Sequence, residues 1–236
     1  MKKILLVVLG LVLPLSANAF SVDTMVLVSD PAGNGVFTLT NNKSQPEYIK
    51  GEVSQVKVVN GNLNKVALTK DNLPMWDLAI VPTKFILNPG EQRRVAVKNL
   101  CQRNCKGLSY DKVYQIEFIP GQAPKEMKQS QIGIQMGYAP YFVVPAEQAK
   151  VKYDIQYNKG TGNLHINNQS NTFLYMQLDA CQENKTMAGC KTTYTILAGR
   201  IRNIPLSDMF KEKDKLEVHI ASHDYSYNEN EYVSTK

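Results

Sequence analysis

Apolar residues in this chain recur mostly at every second position, and short clusters rich in Gly, Pro and Asn separate the runs. Period-two alternation marks extended segments with one face toward a core and one toward water. "DTMVLVSD" is an apolar run ended by Asp30-Pro31 and a Gly-Asn-Gly turn. "GVFTLTNN" carries Val36, Phe37 and Leu39 and stops at Asn-Asn. "EYIKGEVSQVKVVNG" is a longer strand closed by Asn60-Gly61, a pair suited to a two-residue hairpin turn. "LAIVPTKFILNPGEQRRVAVKNL" holds two strands around Asn88-Pro89-Gly90. "KVYQIEFIPG" sets Val113, Gln115 and Glu117 against Tyr114, Ile116 and Phe118. Helical periodicity is poor: "LTKDNLPMW" and "LSDMFKEKDK" support a turn or two of helix each. Short strands at this spacing predict an all-β chain built as a β-sandwich.

The stretch "SQIGIQMGYAPYFVVP" stands apart. Ile132, Ile134, Met136 and Tyr138 form one apolar face, while Gln131, Gly133, Gln135 and Gly137 leave the other nearly bare. The pattern then becomes a continuous apolar run, Tyr141 to Val144, and stops at Pro145. "PAEQAK" reads as a hinge, after which strand and turn signals restart in "VKYDIQYNKGTG", "NLHINNQSN", "TFLYMQLDAC", "KTTYTILAGR" and "KLEVHIAS". The expected organisation is a first domain over residues 20–144 and a smaller second sandwich over 145–236. The polar end, "HDYSYNENEYVSTK", is expected to fray.

The first 19 residues fall outside this pattern. A basic "MKK", a 12-residue apolar run and the small residues of "SANA" read as a secretory signal peptide cleaved after Ala19. The apolar run is too short to span a bilayer, so export to the periplasm without membrane insertion is expected. Cleavage removes Lys2 and Lys3 and takes the formal charge from +6 to +4, with the basic residues scattered. That distribution gives no electrostatic footprint for nucleic acid.

The four cysteines form two local pairs, Cys101 with Cys105 and Cys181 with Cys190, each in a polar stretch. In an oxidising compartment they read as two short disulfides pinning hairpin ends. Neither pair has the C-x-x-C spacing or the neighbouring His of a zinc or redox site. The histidines are His165, His219 and His223, and on a strand the last two lie about 13 Å apart. No nucleophile elbow, zinc-protease or P-loop motif is present, so neither an enzyme nor a cofactor or metal is expected. Trp76 is the only tryptophan, beside Pro74 and Leu78, and is expected to cap a core. Asn42, Asn168 and Asn184 open glycosylation sequons that carry little weight in a chain that reads as a bacterial export product.

Taken together, "VYQIEFIP", the long polar loop after it, "QIGIQMGYAPYFVVP" and a second sandwich resemble the periplasmic pilus chaperones of the chaperone–usher pathway, nearest their alternative or archaic branches. "TKFILNPGEQRRVAV" and "GNLHINNQSN" fit that family's pattern, as does a cysteine pair like Cys181 and Cys190 in the second domain. The resemblance implies two immunoglobulin-like sandwiches in an L-shaped arrangement. It also implies a mechanism. A pilus subunit lacks its last strand and exposes an apolar groove, and the chaperone's strand G fills it. Ile132, Ile134, Met136 and Tyr138 would be the donated face; alternation alone favours their facing the first domain's own core, and the long polar loop before the strand and the hinge after it turn the reading to donation. The implied partners are pilins and a tip adhesin, an outer-membrane usher, and a second copy of the chain as a self-capping homodimer.

One departure stands out. The family's best-known branch holds the subunit's terminal carboxylate with basic residues on the first strand and on strand G. Here those positions fall near Val26 and Gln135, and the first basic residue after cleavage is Lys43. Arg94, Arg93 and Lys84 are candidate anchors by charge alone, with ordinary surface charge as the other reading. Two rivals remain: a two-domain Ig-like adhesin or pilus subunit, and a periplasmic ligand-binding module using some of the 12 tyrosines.

Overall fold

Chain pairing begins by dividing the first strand between two sheets. The structure, a computed structural model, describes residues 20–101, 107–121, 136–181 and 188–235. β1 (Phe20–Val22) pairs antiparallel with β3 (Gly35–Asn41), whereas β2 (Val26–Val28) pairs parallel with β10 (Tyr141–Val144). Sequence analysis expected one strand here, and the switch lies between Val22 and Val26. One sheet runs β1-β3-β8-β6, with β6 Leu78–Val81 and β8 Gln92–Asn99. The other runs β2-β10-β9-β4-β5, with β4 Glu47–Val59, β5 Asn62–Ala67 and β9 Lys112–Gly121; β7 (Lys84–Leu87) also pairs with β4. The stretch expected to hold two strands therefore holds three, because Pro82 interrupts it and lacks the N–H that a continuous ladder needs.

Alternation fixes the core. Phe37 and Leu39 of β3, Val95 and Val97 of β8, and Leu78 and Ile80 of β6 meet Ile49, Leu87, Ile116, Phe118 and Phe142 from the facing sheet, all buried. The Asn60-Gly61 hairpin forms as expected, with φ of 50° and 74° at its two central residues. The weakly helical stretches become a 3-10 segment, Lys70–Met75, and one helical turn, α1 (Asp208–Lys211). Trp76 is half-buried beside the former, its indole N–H donating to the Thr69 carbonyl at 3.0 Å and to Asn72 Oδ1 at 3.0 Å.

Residues 153–234 build a second sandwich around its own core. Its sheets are β11-β12-β15 (Tyr153–Asn158, Asn163–Asn168, Ile201–Pro205) and β14-β13-β16-β17 (Lys191–Ile196, Leu174–Asp179, Lys215–Ser222, Asn228–Ser234). The fold is thus all-β with two immunoglobulin-like sandwiches. β17 corrects the expectation of a frayed end: its polar residues pair with β16 along seven positions, from Asn228 opposite Ala221 to Ser234 opposite Lys215. Backbone pairing does not depend on side-chain polarity, and Val233 still packs on the core. Cys181 and Cys190 form a disulfide with Cα atoms 4.9 Å apart, joining the strands β13 and β14 at their ends. Cys101 is also disulfide-bonded, and Cys105 lies outside the described residues. Asn168, which opens its sequon, is fully buried, its side-chain amide donating to three carbonyls, Thr172, Ile196 and Leu197.

The two sandwiches meet through an apolar centre with polar ends. Val56, Val113 and Val143 from the first pack with Phe173 and Leu197 from the second. At one end, Asp111 accepts from the N–H of Ala146 (2.9 Å), the N–H of Phe173 (2.8 Å) and the hydroxyl of Thr172 (3.1 Å). Asn171 completes it, donating to the carbonyls of Ser109 and Gln148, both at 2.8 Å. At the other end, the Gly61 carbonyl accepts from Ile201 N–H (3.1 Å) and from Arg200 (2.6 Å). A Cβ on Gly61 would stand 2.7 Å from the Ile201 side chain, so this turn position admits only glycine.

Candidate functional site

β9 supplies the frame. Its residues Lys112 to Gln115 pair with β10, and the chain leading into β10 continues alongside it. Phe118 and Tyr138 exchange backbone hydrogen bonds of 2.7 and 3.1 Å, and Ile116 N–H donates to the Pro140 carbonyl at 2.9 Å. Gln115, buried on β9, adds a side-chain bond to the Ala139 carbonyl at 3.2 Å.

The opposite edge of this segment differs along its length. β2 covers Tyr141 to Val143, with Tyr141 N–H donating to the Met25 carbonyl at 2.9 Å. Upstream of Tyr141, no described strand pairs with the edge that faces away from β9. The switch of the first strand into the other sheet creates this opening. An uncovered strand edge beside apolar side chains is a template for another chain.

The four sequence-predicted face residues divide. Ile132 and Ile134 lie outside the described residues. Met136 is 65% exposed. Tyr138 is half-buried against the first core, its ring 5.0 Å from that of Phe20 in an edge-to-face contact. Its side chain thus contributes to the domain's own packing at the rim. Gly137 explains the close approach to β9, since a Cβ there would lie 2.8 Å from the Phe118 carbonyl oxygen.

The candidate basic residues do not converge. Lys84 sits exposed on β7, opposite Lys50 in register. Arg94 is exposed on β8, opposite Thr38. Arg93 is bound by Glu91, its Nε 2.9 Å away, and lies over the Phe85 ring at 5.7 Å. The Asn88 N–H, then the Arg93 guanidinium, hold the Glu91 carboxyl below its ordinary range.

Sequence analysis missed a different pair. Tyr141 is the register partner of Val26, and burial raises its hydroxyl pKa while Arg200 and Arg202 of the second sandwich oppose that rise. Arg202 lies over the Tyr194 ring at 5.9 Å, and neither arginine has an acidic partner among the described residues. They lie some 60 positions beyond Tyr141, so no local signal links them to it. No three His, Cys, Asp or Glu side chains among the described residues could hold a metal ion. His165 meets Asn203 at 2.7 Å, His219 meets Asn228, and His223 sits near Thr172 at 3.5 Å, so the three serve separate local contacts. No described helix is long and apolar enough to cross a membrane.

Residues 22–145, more than half of the chain, match the family described as the CS5 fimbrial protein N-terminal domain. The chain belongs to this family. No curated protein matches this CS5 fimbrial family member by sequence. Its fold recurs in the class 5 fimbriae chaperone CfaA, at 12% identity, with a TM-score of 0.55 over 92% of this chain and 99% of that one. A chain of the CsuC–CsuE chaperone–tip adhesion subunit pre-assembly complex from archaic Csu pili of Acinetobacter baumannii is similar to it at 9% identity, with a TM-score of 0.55 and coverage of 92% and 99%. The E. coli chaperone DraB is 14% identical, with a TM-score of 0.53 and coverage of 93% and 98%. At these identities the likeness is one of fold, and the fold is that of the fimbrial chaperones.

Proposed function

We propose that this chain is a periplasmic chaperone that holds fimbrial subunits in solution and delivers them to an outer-membrane usher. The observation that carries the reading is the uncovered edge upstream of Tyr141, running along β9 and bearing the exposed side chain of Met136. A subunit lacking its last strand would pair its backbone with this edge, and alternate apolar side chains would enter its groove. Ile132, Ile134 and Met136 are the donated set. Tyr138, seated on Phe20, fixes where donation begins. No ATP, metal or cofactor takes part: affinity comes from main-chain hydrogen bonds and apolar burial. Membership of the fimbrial family and the fold shared with fimbrial chaperones support the reading.

Arg202, with Arg200 beside it, is our candidate for the subunit's terminal carboxylate, because the pair faces the register partner of Val26. Lys84 and Arg94 are the alternatives, while Arg93 is already paired with Glu91. The test is periplasmic co-purification with a fimbrial subunit encoded beside this chain's gene, comparing the native chain with Ile134→Asp, Met136→Asp and Arg202→Ala. Folded aspartate variants should lose the one-to-one complex, and Arg202→Ala should weaken it about tenfold or more. Folded aspartate variants that bind normally would move the site away from this edge.

A further inference from the structure

The uncovered edge carries sulfur. Of the eight methionines, Met136 is 65% exposed and Met25, at the point where the first strand changes sheets, is 50% exposed, while Met75 of the 3-10 segment, away from this edge, is 57% exposed. Met176, in the core of the second sandwich, is fully buried. Met136 is flanked by Gly137, which is itself exposed and carries no side chain to shield the neighbouring thioether. Leu or Ile would fill an apolar groove as well as Met. A thioether differs in one chemical respect: it is oxidised to a sulfoxide, turning a flexible apolar group into a polar one.

We infer that Met136, supported by Met25, is an oxidation site that switches off capture at this edge, with hydroperoxides as the reacting class. The inference rests on the donor-edge reading above. In the step, a sulfur lone pair attacks the terminal peroxide oxygen. An S–O bond forms and the O–O bond breaks. The hydroxyl hydrogen of the transferred oxygen passes to the departing oxygen, which leaves as water or an alcohol. Sulfur loses two electrons and the peroxide gains them. The product places a strong acceptor on the apolar face. Buried in a subunit groove with no donor opposite, that oxygen weakens binding.

The test uses the folded mature chain, hydrogen peroxide, and the fimbrial subunit encoded beside the gene. Peptide mass spectrometry follows the gain of one oxygen at each methionine. Subunit affinity is measured before and after peroxide for the native chain, Met136→Leu and Met25→Leu, each against its own untreated baseline. Met136 should oxidise before Met176, and native affinity should fall about tenfold with the thermal melt retained. A methionine sulfoxide reductase should restore it. In Met136→Leu the treated-to-untreated ratio should recover most of the way to unity, and in Met25→Leu it should recover only by the smaller remaining part. The inference is overturned if Met136 resists peroxide as Met176 does. It is also overturned if its sulfoxide leaves affinity unchanged, or if Met136→Leu loses as much as the native chain. Untreated Met136→Asp separates the two ideas: if it binds normally, the donor-edge reading itself has failed, and if it does not, only the switch is in question.

Discussion

Replacing Asp111 by alanine should uncouple the two sandwiches. The carboxylate reaches the first sandwich, the connecting segment and the second sandwich together, through Ala146 N–H, Phe173 N–H and the Thr172 hydroxyl. Ala146, Thr172 and Phe173 are at most 4% exposed, so their donors are poorly placed to turn to bulk water when the acceptor is lost. The Thr172 hydroxyl can turn toward His223 Nδ1, 3.5 Å away, whereas the two backbone donors have no such alternative. Two buried, unsatisfied N–H groups cost about 1–3 kcal/mol each. Against this, burial raises the Asp111 pKa, so the native carboxylate carries a desolvation penalty that alanine removes. The net loss is therefore below the about 2–6 kcal/mol that the two donors cost together, still a sizeable share of a typical domain's stability. The assay is denaturant unfolding followed by Trp76 fluorescence, which reports only the first sandwich, and by far-ultraviolet circular dichroism, which reports both. The two curves should coincide in the native chain and separate in Asp111→Ala, with the m-value of each transition reduced. Asp111→Asn, which retains one acceptor oxygen, should lose less. Coincident curves with an unchanged midpoint in Asp111→Ala would refute the coupling.

Two further outcomes follow from local geometry. Gly137→Ala should push the edge segment off β9, because its Cβ would meet the Phe118 carbonyl at 2.8 Å; amide exchange at Phe118 and Tyr138 should quicken while global stability falls only about 1–3 kcal/mol, and unchanged exchange would contradict the steric argument. Asp224 is held at about 2, below its ordinary 3.8, by the Ser222 hydroxyl first and then by Ser226, so its contribution is present above pH 3.8 and is lost as pH falls toward 2; a carboxyl titration by nuclear magnetic resonance that places Asp224 at its ordinary value would remove that contribution.

Much of the fold was legible because it follows from local rules. Phe37 and Leu39, or Tyr114, Ile116 and Phe118, alternate because one face of each strand meets a core. Asn60-Gly61 announces its hairpin because few pairs tolerate two successive positive φ values. What was illegible depends on contacts between distant segments. The unbroken run Tyr141 to Val144 makes sense only once both faces are occupied: Phe142 enters the first core, while Val143 packs against Phe173 and Leu197 of the second sandwich. Gln115 is buried for the same reason, on the face of β9 that also carries Val113. The polar terminal strand had no hydrophobic signal, since much of its pairing is through the backbone. At the site, the apolar row and its glycines could be read, but not that Tyr138 turns onto Phe20 or that Arg200 and Arg202 approach Tyr141.

The divided first strand also sets a timetable. Val26 pairs with Tyr141, about 115 positions later, in a parallel ladder that no local turn can nucleate. Closing so long a loop is entropically costly before any contact rewards it, and folds dominated by such pairings form slowly. Because a chain is made from its N-terminus, the strand that emerges first is among the last to be fastened. The first sandwich cannot close before Val144 has appeared, because β10 pairs with both β2 and β9. A chain with that schedule presents the uncovered edge upstream of Tyr141 only after its first sandwich has closed.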